Sequence, residues 1–264
     1  MIKGAIHVHS TYSDGEFTLA QLRDIYRTED CAFVCMNDHA EYFDENLLNA
    51  YRRECEALSD ATFCIIAGLE YRCERNMHIT AYGHSGLTAI TDPEAAIRYI
   101  AEQGAIAVIA HPKDEFFPWI ESFQTLPHGI ETWNTKYDGR YAPRPGTFAL
   151  LQKLKQRSPA TLAFYGQDLH WKKQYRGLFL ELEIDSGEPQ AILAGIASGK
   201  FRGRKGELLL PSDGVLPASL LAQFGEANAR SHRMWDLLKS GKNVLDRLGI
   251  RVPESVKAPL RKIF

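Results

Sequence analysis

Apolar and polar residues follow one another along this chain in blocks of two kinds. Some are continuous apolar runs of strand length, and others are longer stretches in which apolar residues return at helical spacing. Residues 2–8 form the first apolar run and predict a strand. After a polar turn over 10–16, Thr18-Leu19-Ala20-Gln21 has the form of a capping box. Leu19, Leu22, Ile25 and Tyr26 then recur with the period of a helix that buries one face. Residues 32–36 are a second strand-length run, ended by Asn37-Asp38-His39. The cycle repeats with a helix across 45–58, a strand over 62–67 that ends in Gly68-Leu69-Glu70, and a further strand at 78–83. Thr91-Asp92-Pro93-Glu94 marks a helix start with proline in the first turn, and Gly104 stops that helix before a strand at 105–110. Next come a strand end at 129–134, a Pro/Gly-rich loop over 138–146, a helix to about residue 156, and a short strand at 162–165. Segments 178–184, 191–197 and 207–210 extend the pattern, and 216–248 read as largely helical. Strand alternating with helix predicts an α/β fold with a parallel sheet.

Composition narrows the class without changing this picture. With 264 residues, 45% apolar and 24% charged, the chain has the make-up of an ordinary globular protein. Its longest apolar runs fall far short of the roughly 18 residues that cross a bilayer. The first residues turn polar too soon for a secretory signal, so no membrane partner and a cytoplasmic location are expected. Five cysteines, Cys31, Cys35, Cys55, Cys64 and Cys73, form no CxxC pair and read as reduced, buried, small hydrophobes. The net charge of −2 conceals a basic end: residues 200–264 hold 13 Lys/Arg against 6 Asp/Glu. These charges are interleaved with apolar residues at helical spacing, as on a solvated helix face.

The candidate chemistry lies at the strand ends. His7 and His9, His39, Glu70, His111, and Asp168 with His170 each fall at or just beyond the end of a predicted strand. In a closed parallel barrel those ends share one rim, where active sites are built. Side-chain alternation puts His7 and His9 on one side of their strand, able to hold the same ion. Imidazoles mixed with carboxylates suit zinc, manganese or iron, whereas magnesium or calcium sites are built mostly from oxygen. With Asp14 and His78 added, six imidazoles and three carboxylates exceed what one ion uses, so two or three divalent ions are expected, bridged by a carboxylate such as Glu70. Single histidines are more often plain core or surface residues, and His84, His128 and His232 are read that way.

These residues carry a resemblance. His7-Val8-His9-Ser10-Thr11-Tyr12-Ser13-Asp14-Gly15 resembles the HxHxxxSDG opening of the polymerase and histidinol phosphatase (PHP) superfamily. Asp38-His39, Gly68-Leu69-Glu70, His78-Ile79-Thr80-Ala81-Tyr82, His111-Pro112 and Gly166-Gln167-Asp168-Leu169-His170 are similar to its later motifs, in order, over roughly residues 1–200. Asn37 stands where many members have threonine, and the segment between Glu70 and His78 carries Cys and Arg where a short apolar one is usual. The resemblance implies a distorted (β/α)7 TIM-like barrel over residues 1–200, with 201–264 as a mostly helical C-terminal extension packed on it. It also implies a trinuclear site. One ion would take His7, His9, Glu70 and Asp168, a second Glu70, His78 and His111, and a third Asp14, His39 and His170. His78 is preferred to the nearby His84 for the second.

The expected reaction is hydrolysis of a phosphate ester on a small phosphorylated metabolite or nucleotide. A metal-bridged hydroxide would attack phosphorus, with no side-chain nucleophile. Lys113, Arg144 and Arg176 are the candidate cations for phosphate oxygens. Asp38 and Glu131 are candidates for orienting ligands from behind. A nuclease acting on DNA or RNA ends is the competing reading, with Tyr137, Arg140, Tyr141 and Arg144 as a possible backbone track. It ranks second because no recognisable nucleic-acid module follows the barrel. A non-catalytic binding module ranks third, since it would have no need to keep all nine ligand positions filled.

Overall fold

The first apolar run folds as β1 (Ile2–Val8) and the second as β2 (Phe33–Met36), paired in parallel because α1 (Leu19–Thr28) carries the chain back between them. Thr18 caps α1 with both bonds of a capping box: its side chain accepts from Gln21 N, and the Gln21 side chain accepts from Thr18 N. A second helix, α2 (Glu45–Ala57), is capped by Asp44 and returns the chain to β4 (Cys64–Ile66), parallel to β2. The computed structural model describes residues 1–139 and 141–247; Arg140 and residues 248–264, the end of the basic segment, lie outside them.

Past residue 36 the strand path bends out of the first sheet into a second. Asn37 interrupts the strand, which resumes as β3 (Asp38–His39), and Gly68 makes the same passage between β4 and β5 (Leu69–Arg72). A Cβ at Gly68 would stand 2.3 Å from the Ala81 carbonyl oxygen and 2.6 Å from that of Met36, so this passage requires glycine. The Asn37 side-chain amide donates to the Ala81 carbonyl at 3.0 Å and ties the bend to the strand beyond.

The expected all-parallel arrangement gives way at this point. Residues 73–77 join β5 to β6 (His78–Tyr82), too few for a helical crossover, and Arg75 and Asn76 adopt positive φ to close a hairpin. Strand β6 is therefore antiparallel to β5, and also to β7 (Ile106–Ala110) on its other side, which α3 (Pro93–Glu102) precedes. Parallel pairing resumes through α4 (Phe117–Ser122) to β8 (Gly129–Asn134) and through α5 (Pro145–Lys155) to β9 (Leu162–Gly166). Next, β10 (Phe179–Leu182) pairs antiparallel with β1; α6 (Pro189–Ala197) follows, and the hairpin of β11 (Phe201–Lys205) and β12 (Leu208–Pro211) extends that sheet. Residues 201–211 thus complete a sheet that begins before residue 200.

The result is a mixed α/β fold with two six-stranded sheets, ordered β12-β11-β10-β1-β2-β4 and β3-β5-β6-β7-β8-β9, and seven α-helices among the described residues. The far end of the second sheet reaches back to the first: Leu169 N donates to His7 O, and His9 N donates to Leu169 O at 3.0 Å. The last helix, α7 (Ala218–Arg247), buries Phe224 and ties Asn228 to the Pro143 carbonyl at 2.8 Å. The five cysteines are buried and free, as the sequence reading expects. No helix among the described residues is long and apolar enough to cross a membrane.

Candidate metal centre

The strand ends bring together the side chains that the sequence singles out. His7 and His9 leave the end of β1, His39 ends β3, Glu70 lies in β5, His111 follows β7, and Asp168 and His170 follow β9. His78 joins them from the opposite direction, because β6 is antiparallel and starts at this rim. Three of these residues hold positive φ: His7 at 59°, His111 at 30° and Asp168 at 51°. That conformation costs on the order of 1–2 kcal/mol for a residue with a side chain, and it turns the backbone sharply where a strand would otherwise carry the side chain past the site.

Glu70 is at the centre and almost wholly buried. Its Oε1 lies 3.0 Å from His78 Nδ1, 3.2 Å from His111 Nε2 and 3.4 Å from His7 Nε2. Its Oε2 lies 3.3 Å from His39 Nδ1 and 3.4 Å from His9 Nε2. Asp168 is equally buried, 3.6 Å from His9 Nε2 and 3.7 Å from His111 Nε2. Asp14 completes a third grouping, 3.3 Å from His170 Nε2 and 3.7 Å from His39 Nε2. Donors bound to one ion at about 2.0–2.2 Å stand about 3.4 Å apart at a tetrahedral angle, so these separations match shared coordination. Four groups of donor atoms lie mutually within 4.8 Å: His9, Asp14, His39 and His170; His7, His9 and Asp168; His7, Glu70 and His111; and His39, Glu70 and His78. His84 and His128 stay outside all four, and His128 Nδ1 accepts from Ala107 N instead.

Two further properties fit this donor set to cations. His7 Nε2, His9 Nδ1 and Nε2, His39 Nδ1 and His78 Nε2 are buried with no hydrogen-bond partner among the described residues, a state that buried polar atoms rarely tolerate. The field is also strongly negative. Burial pushes the His7 and Lys136 pKa values down, yet the surrounding carboxylates outweigh it and raise both. His170 is likewise lifted against burial, to about 9, by Asp14 and Asp168. Burial would raise Glu70 and Asp168, but neighbouring imidazoles hold both well below the ordinary carboxylate range, so both carboxylates are ionised, the state in which such groups bind metal.

The supporting residues divide differently from the sequence expectation. Glu131 is wholly buried behind the cluster; its Oε1 accepts from His7 Nδ1 at 2.7 Å and its Oε2 from His111 N at 2.9 Å. Holding Nδ1 leaves His7 Nε2 facing the other ligands, as in carboxylate–histidine–metal arrangements. Gly166 makes room for it, since a Cβ there would lie 1.7 Å from Glu131 Oε1. Asp38, expected to orient His39, accepts instead from Ser10 N (2.7 Å), Ser10 Oγ (2.9 Å) and Ser13 Oγ (2.7 Å). It therefore fixes the turn that presents Asp14, and its effect on the cluster runs through that residue.

Of the three candidate phosphate cations, Arg144 is committed elsewhere. Its guanidinium donates to Asp138 (2.6 Å), to Asp114 and to the Pro112 carbonyl (2.6 Å), which pins the loops after β7 and β8 together. Lys113, paired with Glu115 at 3.8 Å, and Arg176, whose guanidinium donates to the Lys173 and Tyr175 carbonyls, line with Arg144 a pocket of about 730 Å³ beside the cluster. The sequence reading missed Lys136, whose Nζ lies 3.0 Å from Asp168 Oδ1 and 3.3 Å from His170 Nδ1. Its signal was its place: two residues beyond the end of β8, a strand end to which only Glu131 had been given a role. Tyr137 beside it packs on His111 with ring centres 4.4 Å apart.

No protein-family model matches the chain, and no curated protein matches it by sequence. Solved structures do. A two-domain protein from Bacteroides vulgatus containing a predicted PHP-like metal-dependent phosphoesterase superposes with a TM-score of 0.55 at 20% identity, over 85% of this chain and 69% of that one. PsfC from Pseudomonas syringae gives a TM-score of 0.50 at 12% identity, over 87% of this chain and 98% of that one. At such identities the likeness is one of fold, and it agrees with the resemblance read from the motifs: this chain has the α/β fold of the Bacteroides PHP-like protein.

Proposed function

We propose that this chain is a metal-dependent phosphoesterase that hydrolyses an ester of a small phosphorylated molecule. Two or three divalent ions (Zn, Mn or Fe) would be held by His7, His9, Asp14, His39, Glu70, His78, His111, Asp168 and His170. The observation that carries the reading is Glu70: a buried, ionised carboxylate with five imidazoles at 3.0–3.4 Å, a surplus of donors that a single ion would not use. Bound there, such ions would supply an activated water for attack on phosphorus and would neutralise the phosphate oxygens. The chain's own groups then orient and hold. Glu131 fixes the His7 tautomer, the Asp38 carboxylate fixes the turn bearing Asp14, and Lys136 offers an ammonium at the edge of the cluster. No serine or cysteine nucleophile is required.

In this reading the strand paths from β1 to β9 form a distorted (β/α)7 barrel that carries the catalytic site, β10, β11 and β12 extend its first sheet, and α7 packs on it. Small substrates are favoured over nucleic acid because Arg144, part of the proposed backbone track, spends its donors on Asp138, Asp114 and Pro112. Arg140, the other arginine of that track, lies outside the described residues. The test is a phosphate-release screen on metal-reconstituted protein over nucleotides, sugar phosphates and short oligonucleotides. Release from a small ester, insensitive to moderate salt, is expected. A preference for oligonucleotides that weakens steeply between 50 and 200 mM salt, as phosphate-backbone contacts do, would favour the nuclease, and no release from any substrate would sink the enzyme reading.

A further inference from the structure

The cluster opens on one side into the 730 Å³ pocket, large enough for a metabolite-sized group. The pocket borders the cluster at His111, which lines it, and at Lys136, whose ammonium touches Asp168 and His170. Lys173 and Arg176, whose guanidinium also donates to the Lys173 and Tyr175 carbonyls, bring further positive charge to the pocket, whereas its three acidic residues are already paired, Asp114 and Asp138 with Arg144 and Glu115 with Lys113 at 3.8 Å. The far wall comes from the C-terminal helix, through Ala227, Asn228 and Ser231 of α7. That wall is anchored, since Phe224 is buried and Asn228 donates to the Pro143 carbonyl.

We infer that this pocket, resting on the phosphoesterase reading above, is the subsite for the alcohol side of the ester, and that it selects an alcohol carrying an anionic group of its own. An ester phosphate bound beside His111 and Lys136 has this pocket next to it for its alcohol. Lys173 and Arg176 stand where a second negative charge would be met, and α7 bounds the length of what fits. The anion can be a carboxylate or a second phosphate; the pocket's chemistry recognises both. The basic C-terminal region thus acquires a role, since its helix closes a specificity pocket.

The experiment compares three probes with one carbon skeleton on the reconstituted protein: glycerol 3-phosphate, 3-phosphoglycerate and 2,3-bisphosphoglycerate. Wild-type kcat/KM should favour the two acidic probes by about tenfold or more, the worth of one additional charge-assisted contact, and their ranking separates carboxylate from phosphate. Ser231→Glu and Lys173→Glu, which place negative charge in the pocket, should bring that ratio close to one while bound metal is unchanged. An unaltered ratio in both variants would overturn the inference. If no probe is hydrolysed, the phosphoesterase reading is left to the wider screen above, and calorimetric binding of 3-phosphoglycerate still decides the pocket. Binding that Ser231→Glu abolishes upholds the anion subsite, and no binding to the wild type, or equal binding to both, refutes it.

Discussion

The wall of the site built by the ends of β1, β3, β5, β7 and β9, which carries the clustered imidazoles and carboxylates, and the wall built by Lys113, Tyr137 and Arg144 in the loops after β7 and β8 with α7 are made by different means. On the first, His7, His9 and Glu70 are almost wholly buried, set by strand ends and held from behind by Glu131 and the Asp38 turn. On the second, Lys113 and Tyr137 are half exposed, and the loops are clamped by one arginine reaching Asp138, Asp114 and Pro112. The first wall is fixed before anything binds, as metal ligands must be, because donors placed loosely would lose most of their affinity. The second has the length and charge to adapt to a substrate. The contrast assigns reaction class to one wall and choice of substrate to the other.

Substitutions separate the two walls by size of effect. His9→Ala or Asp168→Ala, which remove central ligands, should abolish phosphate release and lower bound metal while circular dichroism reports an intact fold; wild-type rates in either variant would dissolve the cluster as drawn. Glu131→Gln keeps the shape but weakens the acceptor for His7 Nδ1, and should cost about 10–100-fold in metal affinity or activity, measured by competition with a chelator. On the second wall, Arg144→Met leaves the buried Asp138 without its partner, a loss of about 3–5 kcal/mol in a fully buried setting and less here because the guanidinium is partly exposed. Urea unfolding should register that loss, and metal content should be retained. Asp38→Asn should have the smallest effect, about 1–3 kcal/mol, because an amide can keep only part of the bonding to Ser10 and Ser13. It should weaken only the grouping that includes Asp14. If Arg144→Met emptied the metal site, or Glu131→Gln left it untouched, the division between the walls would fail.

The same contrast governs what the sequence discloses. The proposed ligands lie in short contiguous motifs at strand ends, so run length brings His7, His9, His39 and Glu70 to one rim, while the positive φ of His7 and the register shift before Val8 are not legible in the alternation. His78 reaches the cluster for a reason the pattern does not carry: β6 is antiparallel, and only the shortness of residues 73–77 hints at a hairpin. Segment 191–197, left without a type in the pattern, folds as the helix α6, because periodicity cannot separate a short apolar helix from a buried strand. Lys136 and the α7 wall were not legible, because their importance depends on contacts across 32 positions to Asp168 and on a helix meeting the pocket from the far end of the chain. Arg144 carries the complementary lesson. A loop arginine beside a candidate site reads as a phosphate ligand until Asp114 and Asp138 are seen to occupy it.

The claim on which the rest depends is that Glu70 joins the groups of imidazoles into one multi-metal centre. Elemental analysis of wild type and Glu70→Gln, stripped with chelator, reconstituted with zinc or manganese and desalted in parallel, tests it most directly. The account predicts two or three equivalents in the wild type and a loss of at least one in the variant. Less than one equivalent in the wild type, or the same content in both proteins, would contradict it.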